Sequence, residues 1–575
     1  MRGIALGVAV VALGLFLIGL GRAPLLDPPE GFHAAVAQAV VTRGDWLTLR
    51  INDVRYFDKP PLLYWLMAAS FSVAGVTPFA ARLACALAAV GLAVLTARLG
   101  TLMGGPRLGL LAGLMVSANL GIFVYARVVK PDLVFILCIF LAYAGFVLAY
   151  RGAGRWALAL FYVALGLAAI AKDVLGALGP CAVIALFFRL SRERPLAPWV
   201  PWWGPLLTAG VALPWYFLVE WHNPGFLWYT IVDNHLLNFA RQRVFPDEDV
   251  PLNAIEFALV TGAAFLPWAV AAPWAVVRAL RRPWPDATAR LWALFALWGV
   301  VVLGFFVISP FKLAHYGLPA FPALALLVAR AWDESIEAAP KSLRPRTLIV
   351  PVLLVFVLAA TATSMAWAGV LPIPAETLSA LDVTARSLAA KGQVAVSAPI
   401  ERYGPILARC TLVFALGALG MVVAAWRRAP GLGVAVALAT MVAFLPVAAD
   451  GLTAFARMRS ATGVVEALAR RATAQDLIVH EGPLENTGSL LLRVRGPVRV
   501  VDGLQSNLAF GATFADSRDL FWDAPRLQAA WLDSRRVFLV SGVDPRRSVV
   551  RGLPPERVHV VTAGGGRSLY SNLAD

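Results

Sequence analysis

Charge is scarce in this chain: 15% of its 575 residues are Asp, Glu, Lys or Arg, whereas 59% are hydrophobic. A soluble core of this size has no use for so much apolar surface, which excludes an ordinary globular enzyme. Acids are scarcer than bases, 34 against 50, giving a net charge of +16. In a soluble protein that excess would point to nucleic acid or an acidic partner. Here it is arginine scattered among short loops, so topology accounts for it and no nucleic-acid partner is expected. Cysteine is rarer still. Cys85, Cys138, Cys181 and Cys410 each lie in or beside an apolar run, with neither zinc-site spacing nor a disulfide framework. The apolar run 3–21 ends in Gly21-Arg22-Ala23-Pro24 without a convincing small-residue cleavage site, so it reads as a retained first transmembrane helix. No internal repeat is visible, which argues against a transporter.

What the chain does have is hydrophobic length. Its mean hydropathy is +0.73, and windows of about nineteen apolar residues, enough to cross a bilayer, recur as far as residue 449. The pattern predicts a polytopic α-helical membrane protein with about thirteen transmembrane helices in residues 1–450. Arginines such as Arg107, Arg151, Arg278 and Arg427 occupy alternate loops, which places those loops in the cytoplasm. The opposite loops hold Asp27, Glu30, His33, Asp58, Asp132, His222, Asp233, His235 and His315. Two of these outer segments are long, 22–78 and 220–255. Segment 61–75 is apolar but short for a crossing, and Tyr64 and Trp65 suit the headgroup level, so an interfacial helix is expected there. Residues 451–575 alternate short β-branched runs with polar stretches, as a soluble outer α/β domain would. Their Gly564-Gly565-Gly566 before Arg567 reads as a tight turn.

Charges at the edge of a membrane domain are costly unless they serve a ligand or one another. In Asp58-Lys59-Pro60-Pro61 the prolines fit the first turn of a helix, whose free N–H groups beside Lys59 would suit a phosphate. Alternatively, Lys59 snorkels to headgroups. Asp132, after Arg127 and Lys130, is either a helix N-cap or part of a charged triad. Lys172 and Lys312 end other spans at the same outer depth, and Lys312, His315 and Tyr316 would share one face of a helical turn. Each lysine alone could anchor to lipid, but Lys59, Lys172 and Lys312 together favour a shared anionic ligand. Asn234-His235 with Arg241 and Arg243 is either a solvated loop or a site where His235 joins Asp58 or Glu30 at a divalent metal. No tight ligand spacing supports the metal.

The string Gly44-Asp45-Trp46, Tyr56-Phe57-Asp58-Lys59-Pro60-Pro61-Leu62, Tyr64-Trp65 resembles the bacterial aminoarabinose transferases of lipid A modification. More broadly, it is similar to protein mannosyltransferase-like enzymes of GT-C fold. The resemblance continues through Arg127 and Asp132, Ala171-Lys172-Asp173, Asn223-Pro224-Gly225-Phe226, His235, and Lys312 with His315-Tyr316. It implies a GT-C domain followed by the outer α/β domain, in the bacterial inner membrane, with the active site and C-terminal domain periplasmic. It also implies a polyprenyl (undecaprenyl) phosphate-linked sugar as donor, 4-amino-4-deoxy-L-arabinose being one candidate, and lipid A or a related glycolipid as acceptor. On this resemblance Lys59, an arginine of the Arg241/Arg243 loop and Tyr316 hold the donor phosphate, and Lys312 is expected to bind it with them. Arg127, Lys172 and His315 line the substrate cavity, and Asp58 and His235 are candidates for a divalent metal ion.

One position departs from the pattern. Relatives usually read Asp-Glu in the first loop, where this chain has Pro29-Glu30. Glu30 or Asp27 then becomes the expected acid, with Asp132 near the reacting centre. A sugar hydroxyl must lose a proton to attack, whereas an ionised phosphate need not. Transfer to protein or another glycan, a lipid transporter and a catalytically dead lipid-binding relative remain the alternatives.

Overall fold

In a computed structural model, the described residues are 2–574 apart from 194, 246–249, 338–343, 371–381, 397–398 and 495. Residues 246–249 of the long loop and residue 371 thus lie outside the description. The chain begins with helix α1 (Arg2–Leu17), followed by α2 (Glu30–Arg43), a hairpin of β1 (Arg50–Ile51) and β2 (Val54–Arg55), and α3 (Leu62–Ala74). The helices of the membrane body follow: α4 (Pro78–Gly104), α5 (Pro106–Ser117), α6 (Leu120–Ala126), α7 (Asp132–Tyr150), α8 (Arg155–Ala171), α9 (Val174–Ser191) and α10 (Trp203–His222). After the long loop come α11 (Ala254–Ala264), α12 (Ala272–Leu280), α13 (Ala287–Ile308), α14 (Phe321–Glu337) and α15 (Arg344–Trp367). Short α16 (Val383–Ala390) precedes α17 (Gly404–Trp426) and α18 (Pro430–Arg459).

Among the described residues, six helices are long and apolar enough to cross a membrane, seven if the bent pair α5–α6 is one span. That is fewer than the thirteen crossings expected, and the reason is local. Asn119 breaks the apolar stretch 106–123: its side chain accepts from Ile122 N at 2.9 Å, capping a new helix bent 55° from the last. The stretch 256–277 is divided between α11 and α12, with Pro267 in the gap. Helices α1 and α8, of 16 and 17 residues, are apolar but short for a straight crossing. Helix α3 has 13 residues, about 20 Å at 1.5 Å per residue, against a hydrocarbon core of about 30 Å. It begins directly after Pro60-Pro61, as the sequence leads one to expect.

Helix α18 runs through residue 450 and ends at Arg459. Beyond it, α19 (Thr462–Arg471), α20 (Ala524–Leu532) and a six-stranded sheet make the C-terminal body. Its strands are β3 (Leu477–Glu481), β4 (Arg499–Val501), β5 (Phe521–Trp522), β6 (Val537–Ser541), β7 (His559–Gly564) and β8 (Arg567–Ser571). Their order is β5-β4-β3-β6-β8-β7, with β5, β4, β3 and β6 parallel and the last two joints antiparallel. Strands β3 and β6 are buried almost throughout, as parallel central strands covered on both faces must be. Gly565 and Gly566 have φ of 61° and 77° and form the β7–β8 turn, where both central residues need positive φ.

This C-terminal body locks onto the segment between α2 and α3. Asn52, at the tip of the β1–β2 hairpin, donates to Val498 O at 2.6 Å and accepts from Val498 N at 2.8 Å. Arg50 and Arg55 both reach Asp516 at 3.0 Å. Phe510 stacks on Tyr229 with ring centroids 4.6 Å apart, and Phe57 meets Phe226, Phe510 and Phe514. The segment that carries Lys59 is thereby held from both sides.

Candidate active site

A cavity of about 740 Å³ lies between the membrane helices and the C-terminal body. Its walls come from α2, the Tyr56–Pro60 segment, the α6–α7 connection, the α8–α9 junction and the 228–243 region. On the far side they come from α16, the end of α18 and residues 485–507. Of the residues singled out in the sequence, Glu30, Asp58, Lys59, Arg127, Asp132, Lys172, His235, Arg243, His315 and Tyr316 line it.

Lys59 sits at the start of α3, where Pro60 and Pro61 leave the first N–H groups of the helix free, the arrangement that favours an anion. Its ammonium donates to Asp58 Oδ2 at 2.6 Å. Burial would raise Asp58, but Lys59, Arg243 and His33 outweigh it and hold the carboxyl below its ordinary range. Arg243 arrives from the loop after α10. There, Trp228–Leu237 forms a π-helix, a geometry that recurs at functional sites. The buried carboxylate of Asp233 accepts from Val244 N at 2.6 Å and Arg243 Nε at 3.4 Å, while Arg243 also donates to Asn234. Arg241 is placed differently: it turns the chain at φ 57° and is exposed outside the cavity. Lys312 is also outside the lining. Its buried ammonium caps the end of α13 by donating to Val307 O at 3.1 Å.

On the facing wall, Asp132 opens α7 and is 4% exposed. Lys172 donates to its Oδ1 at 2.6 Å, and His315 Nε2 lies 3.6 Å from Oδ2. Lys172 also lies 4.7 Å from the centre of the Tyr316 ring. These residues come from α7, the end of α8 and the 314–320 turn, so helix packing rather than chain proximity assembles them. Arg127 donates to Leu15 O at 2.9 Å and to Ile18 O at 2.6 Å and rests on Phe123, tying the cavity rim to α1.

The two first-loop acids have other work. Glu30 is 1% exposed and receives Arg82 through both oxygens, at 2.7 and 2.6 Å, as well as Val129 N at 3.0 Å and Leu26 N at 2.9 Å. Arg82 meanwhile donates to the carbonyls of Leu20, Ala23 and Pro24. Asp27 lies outside the cavity lining, accepts from Ser489 N at 3.0 Å and from its hydroxyl, and faces Arg567. Burial raises its pKa despite these partners. Both carboxylates pin α2 in place. Arg82 escaped the sequence reading, although an arginine inside an apolar span is itself a signal of a buried partner.

Metal ligation was expected from Asp58 and His235. Asp58 is engaged by Lys59, and His235 bonds Thr230 O through Nδ1 while Nε2 lies 3.9 Å from Asp173. Among the described residues, no three His, Cys, Asp or Glu converge closely enough to hold a metal ion.

Comparison with known proteins adds to this geometry. A sequence model of the family described as dolichyl-phosphate-mannose-protein mannosyltransferase matches residues 58–217. An undecaprenyl phosphate-alpha-4-amino-4-deoxy-L-arabinose arabinosyl transferase 2 of Pseudomonas fluorescens is 30% identical over 356 residues, covering 60% of this chain and 59% of that one. The corresponding transferase of Shewanella sediminis is 27% identical over 58% of this chain and 61% of its own length. The crystal structure of ArnT from Cupriavidus metallidurans bound to undecaprenyl phosphate superposes with a TM-score of 0.81 at 22% identity, over 100% of this chain and 99% of that one. The chain shares the GT-C fold of that structure, and over part of its length its sequence is similar to the aminoarabinose transferases. The sequence match spans about three-fifths of those curated relatives' length, whereas the fold is shared end to end. Within this fold, the matched stretch 58–217 takes in Asp58, Lys59, Arg127, Asp132 and Lys172, all on the cavity wall.

Proposed function

We propose that this protein is an integral-membrane glycosyltransferase. It moves a sugar from a polyprenyl phosphate to lipid A or a related lipopolysaccharide acceptor at the periplasmic face of the bacterial inner membrane. The observation that carries the reading is the cavity itself. Lys59 at a proline-started helix terminus and Arg243 on a braced loop face Asp132, Lys172 and Tyr316 across a space large enough for a sugar phosphate. The relatives' names supply the carrier, undecaprenyl phosphate, and the sugar, 4-amino-4-deoxy-L-arabinose.

The nucleophile attacks the anomeric carbon, the bond from that carbon to the phosphate oxygen breaks, and the bond pair leaves on the phosphate. Charge therefore grows on the leaving oxygens, where Lys59, Arg243 and the free N–H groups of α3 are already placed and need no reorganisation. One displacement inverts the anomeric centre. Asp132, held by Lys172 and His315, presents a fixed negative charge on the other wall, suited to an oxocarbenium-like centre. The polyprenyl tail stays in the bilayer because the site lies at its edge. The ion pairs of the cavity gather at one end of the helices, as an interfacial transferase requires and a carrier with a mid-bilayer site does not.

The test is mass spectrometry of lipid A and surface polysaccharide from cells with and without the gene. Loss of a pentosamine from lipid A is the expected result. An unchanged lipid A beside an altered glycan or glycoprotein would move the acceptor, and no change in either would contradict the reading.

A further inference from the structure

Helix α16 helps to wall the cavity but takes no part in the chemistry proposed above. Thr384, Ser387, Leu388 and Lys391 line the cavity from this segment, and spacings of three and four residues put them on one face. The surrounding contacts fix that face in place. Asp382 caps the helix by accepting from Thr384 N at 2.9 Å and Ala385 N at 3.2 Å, and it pairs with Arg459 at 2.6 Å. Arg386 reaches Glu256 at 3.1 Å, and Val250 N donates to the Ser387 hydroxyl at 3.1 Å. Just beyond the helix, Val394 N donates to Gly542 O at 2.8 Å. The segment is thereby tied to α18, to α11 and to the C-terminal body.

Cations elsewhere on the cavity wall are committed to protein partners. Lys59 donates to Asp58, Lys172 to Asp132, Arg82 to Glu30 and Arg243 to Asn234. Lys391 differs. Its half-buried side chain has no hydrogen-bond or ion-pair partner among the described residues. It acts through space on Glu485, whose Oε1 already accepts from Asn507 N at 2.7 Å. Burial pushes that carboxyl up to about 7, so at neutral pH it is only a partial counter-charge to the lysine. The charges acting most strongly on Asp58 include Lys59 and Arg243 but not Lys391. Lys391 therefore stands apart from the cations assigned to the donor phosphate.

The neighbouring wall is of another kind. Ala449, Leu452, Thr453 and Ala456 line the cavity from one face of α18, a helix long and apolar enough to span the bilayer. The Asp382–Arg459 pair joins this helix to α16. An apolar wall rooted in the membrane thus adjoins a polar face that carries an unpaired ammonium. That combination suits an anionic headgroup on a lipid body, with lysine meeting phosphate as a point charge.

We infer that Lys391 and the α16 face that carries it form the acceptor subsite, holding a phosphate of the lipid A headgroup while its lipid body lies along α18. The inference rests on the transferase reading above. Donor and acceptor phosphates are then each met by their own cations, Lys59 and Arg243 for one and Lys391 for the other. Lys391 binds and orients the acceptor and leaves the donor untouched.

The experiment uses the full chain in phosphatidylcholine nanodiscs, with undecaprenyl phosphate-linked 4-amino-4-deoxy-L-arabinose as donor and lipid A as acceptor. Lys391→Met keeps the apolar stem and removes the charge; its KM for lipid A should rise about tenfold or more. Its donor KM, and its kcat at saturating lipid A, should stay within about twofold of wild type. Lys391→Arg keeps the charge and should hold the lipid A KM within about threefold. An unchanged lipid A KM in Lys391→Met, an equal rise in its donor KM, or the same loss in Lys391→Arg overturns the assignment and leaves the transferase standing. Wild type alone supplies a second measurement. Lipid A stripped of its phosphates, added as competitor, should show an inhibition constant about tenfold or more above the KM of intact lipid A; equal values overturn the subsite. Phosphatidylglycerol added to wild-type nanodiscs should leave the lipid A KM within about twofold. A larger rise that Lys391→Met abolishes would give the subsite to a phospholipid headgroup and overturn the inference. No donor consumption by wild type overturns the transferase reading and this inference with it.

Discussion

Glu30 and Asp132 are both buried acids at the cavity wall, yet their surroundings assign them opposite duties. Glu30 spends its oxygens on the Arg82 fork and two backbone N–H groups. Replacing it with Gln leaves a buried guanidinium without its counter-charge, a change that typically costs about 3–5 kcal/mol. Glu30→Gln should therefore lower the melting temperature in detergent markedly, and an unshifted melt would contradict the structural role. Asp132→Ala should retain the fold, because the Lys172 ammonium it releases is partly exposed on the cavity wall, and lose about 100-fold or more in turnover. A reconstituted assay beside a melting curve separates the two effects. The sequence showed these acids, Lys59 and the histidines as unusual because charge stands out in an apolar chain. It could not show which acid was occupied, since Arg82 lies 52 positions from Glu30 and Ser489 462 from Asp27. Pairings across such separations are a property of packing.

Two glycines account for a close joint between elements. Helix α2 crosses the 484–492 segment so closely that a Cβ on Gly488 would lie 2.2 Å from Phe32 N, and one on Gly31 would lie 2.4 Å from Ser489 N. Backbone atoms cannot yield as a side chain can. Gly488→Ala should accordingly part α2 from the C-terminal body and expose the 484–492 segment to limited proteolysis, whereas Gly463→Ala, with open space around it, should leave the digest unchanged. At this scale the sequence was legible where local chemistry governs. The proline start of α3, the Gly565-Gly566 turn and the long apolar helices all follow from nearest-neighbour rules. Breaks inside apolar runs were missed because Asn119 and Pro267 interrupt helices without lowering the hydropathy of the window around them.

For the whole molecule, the C-terminal body completes the far wall of the cavity. Glu485 and Asn507 contribute to the far wall, with Asn507 N donating to Glu485 Oε1 at 2.7 Å. Burial pushes the Glu485 carboxyl up to about 7. A raised carboxyl means the folded state holds a proton that the unfolded chain has released. Its stabilising effect is full below the ordinary carboxylate pKa of about 4.5 and is lost as pH rises through about 7. Glu485→Gln should thus gain melting temperature over wild type between pH 5 and pH 8, the difference widening with pH; a gap that stays constant would contradict this. The fold class was legible from hydropathy, and the similarity to aminoarabinose transferases from the Lys59-Pro60-Pro61 context. The closure of the site by residues more than 400 positions downstream was not, because nothing local marks Glu485 or Asn507.

The central claim is sugar transfer from a polyprenyl phosphate held at Lys59. The most direct measurement is release of undecaprenyl phosphate and sugar transfer to lipid A by the purified chain in nanodiscs, comparing wild type with Lys59→Ala. The expected result is transfer by wild type and a loss of about 100-fold or more in the variant, which still melts as a folded protein. Equal turnover by the two proteins, or no donor consumption by wild type, would contradict it.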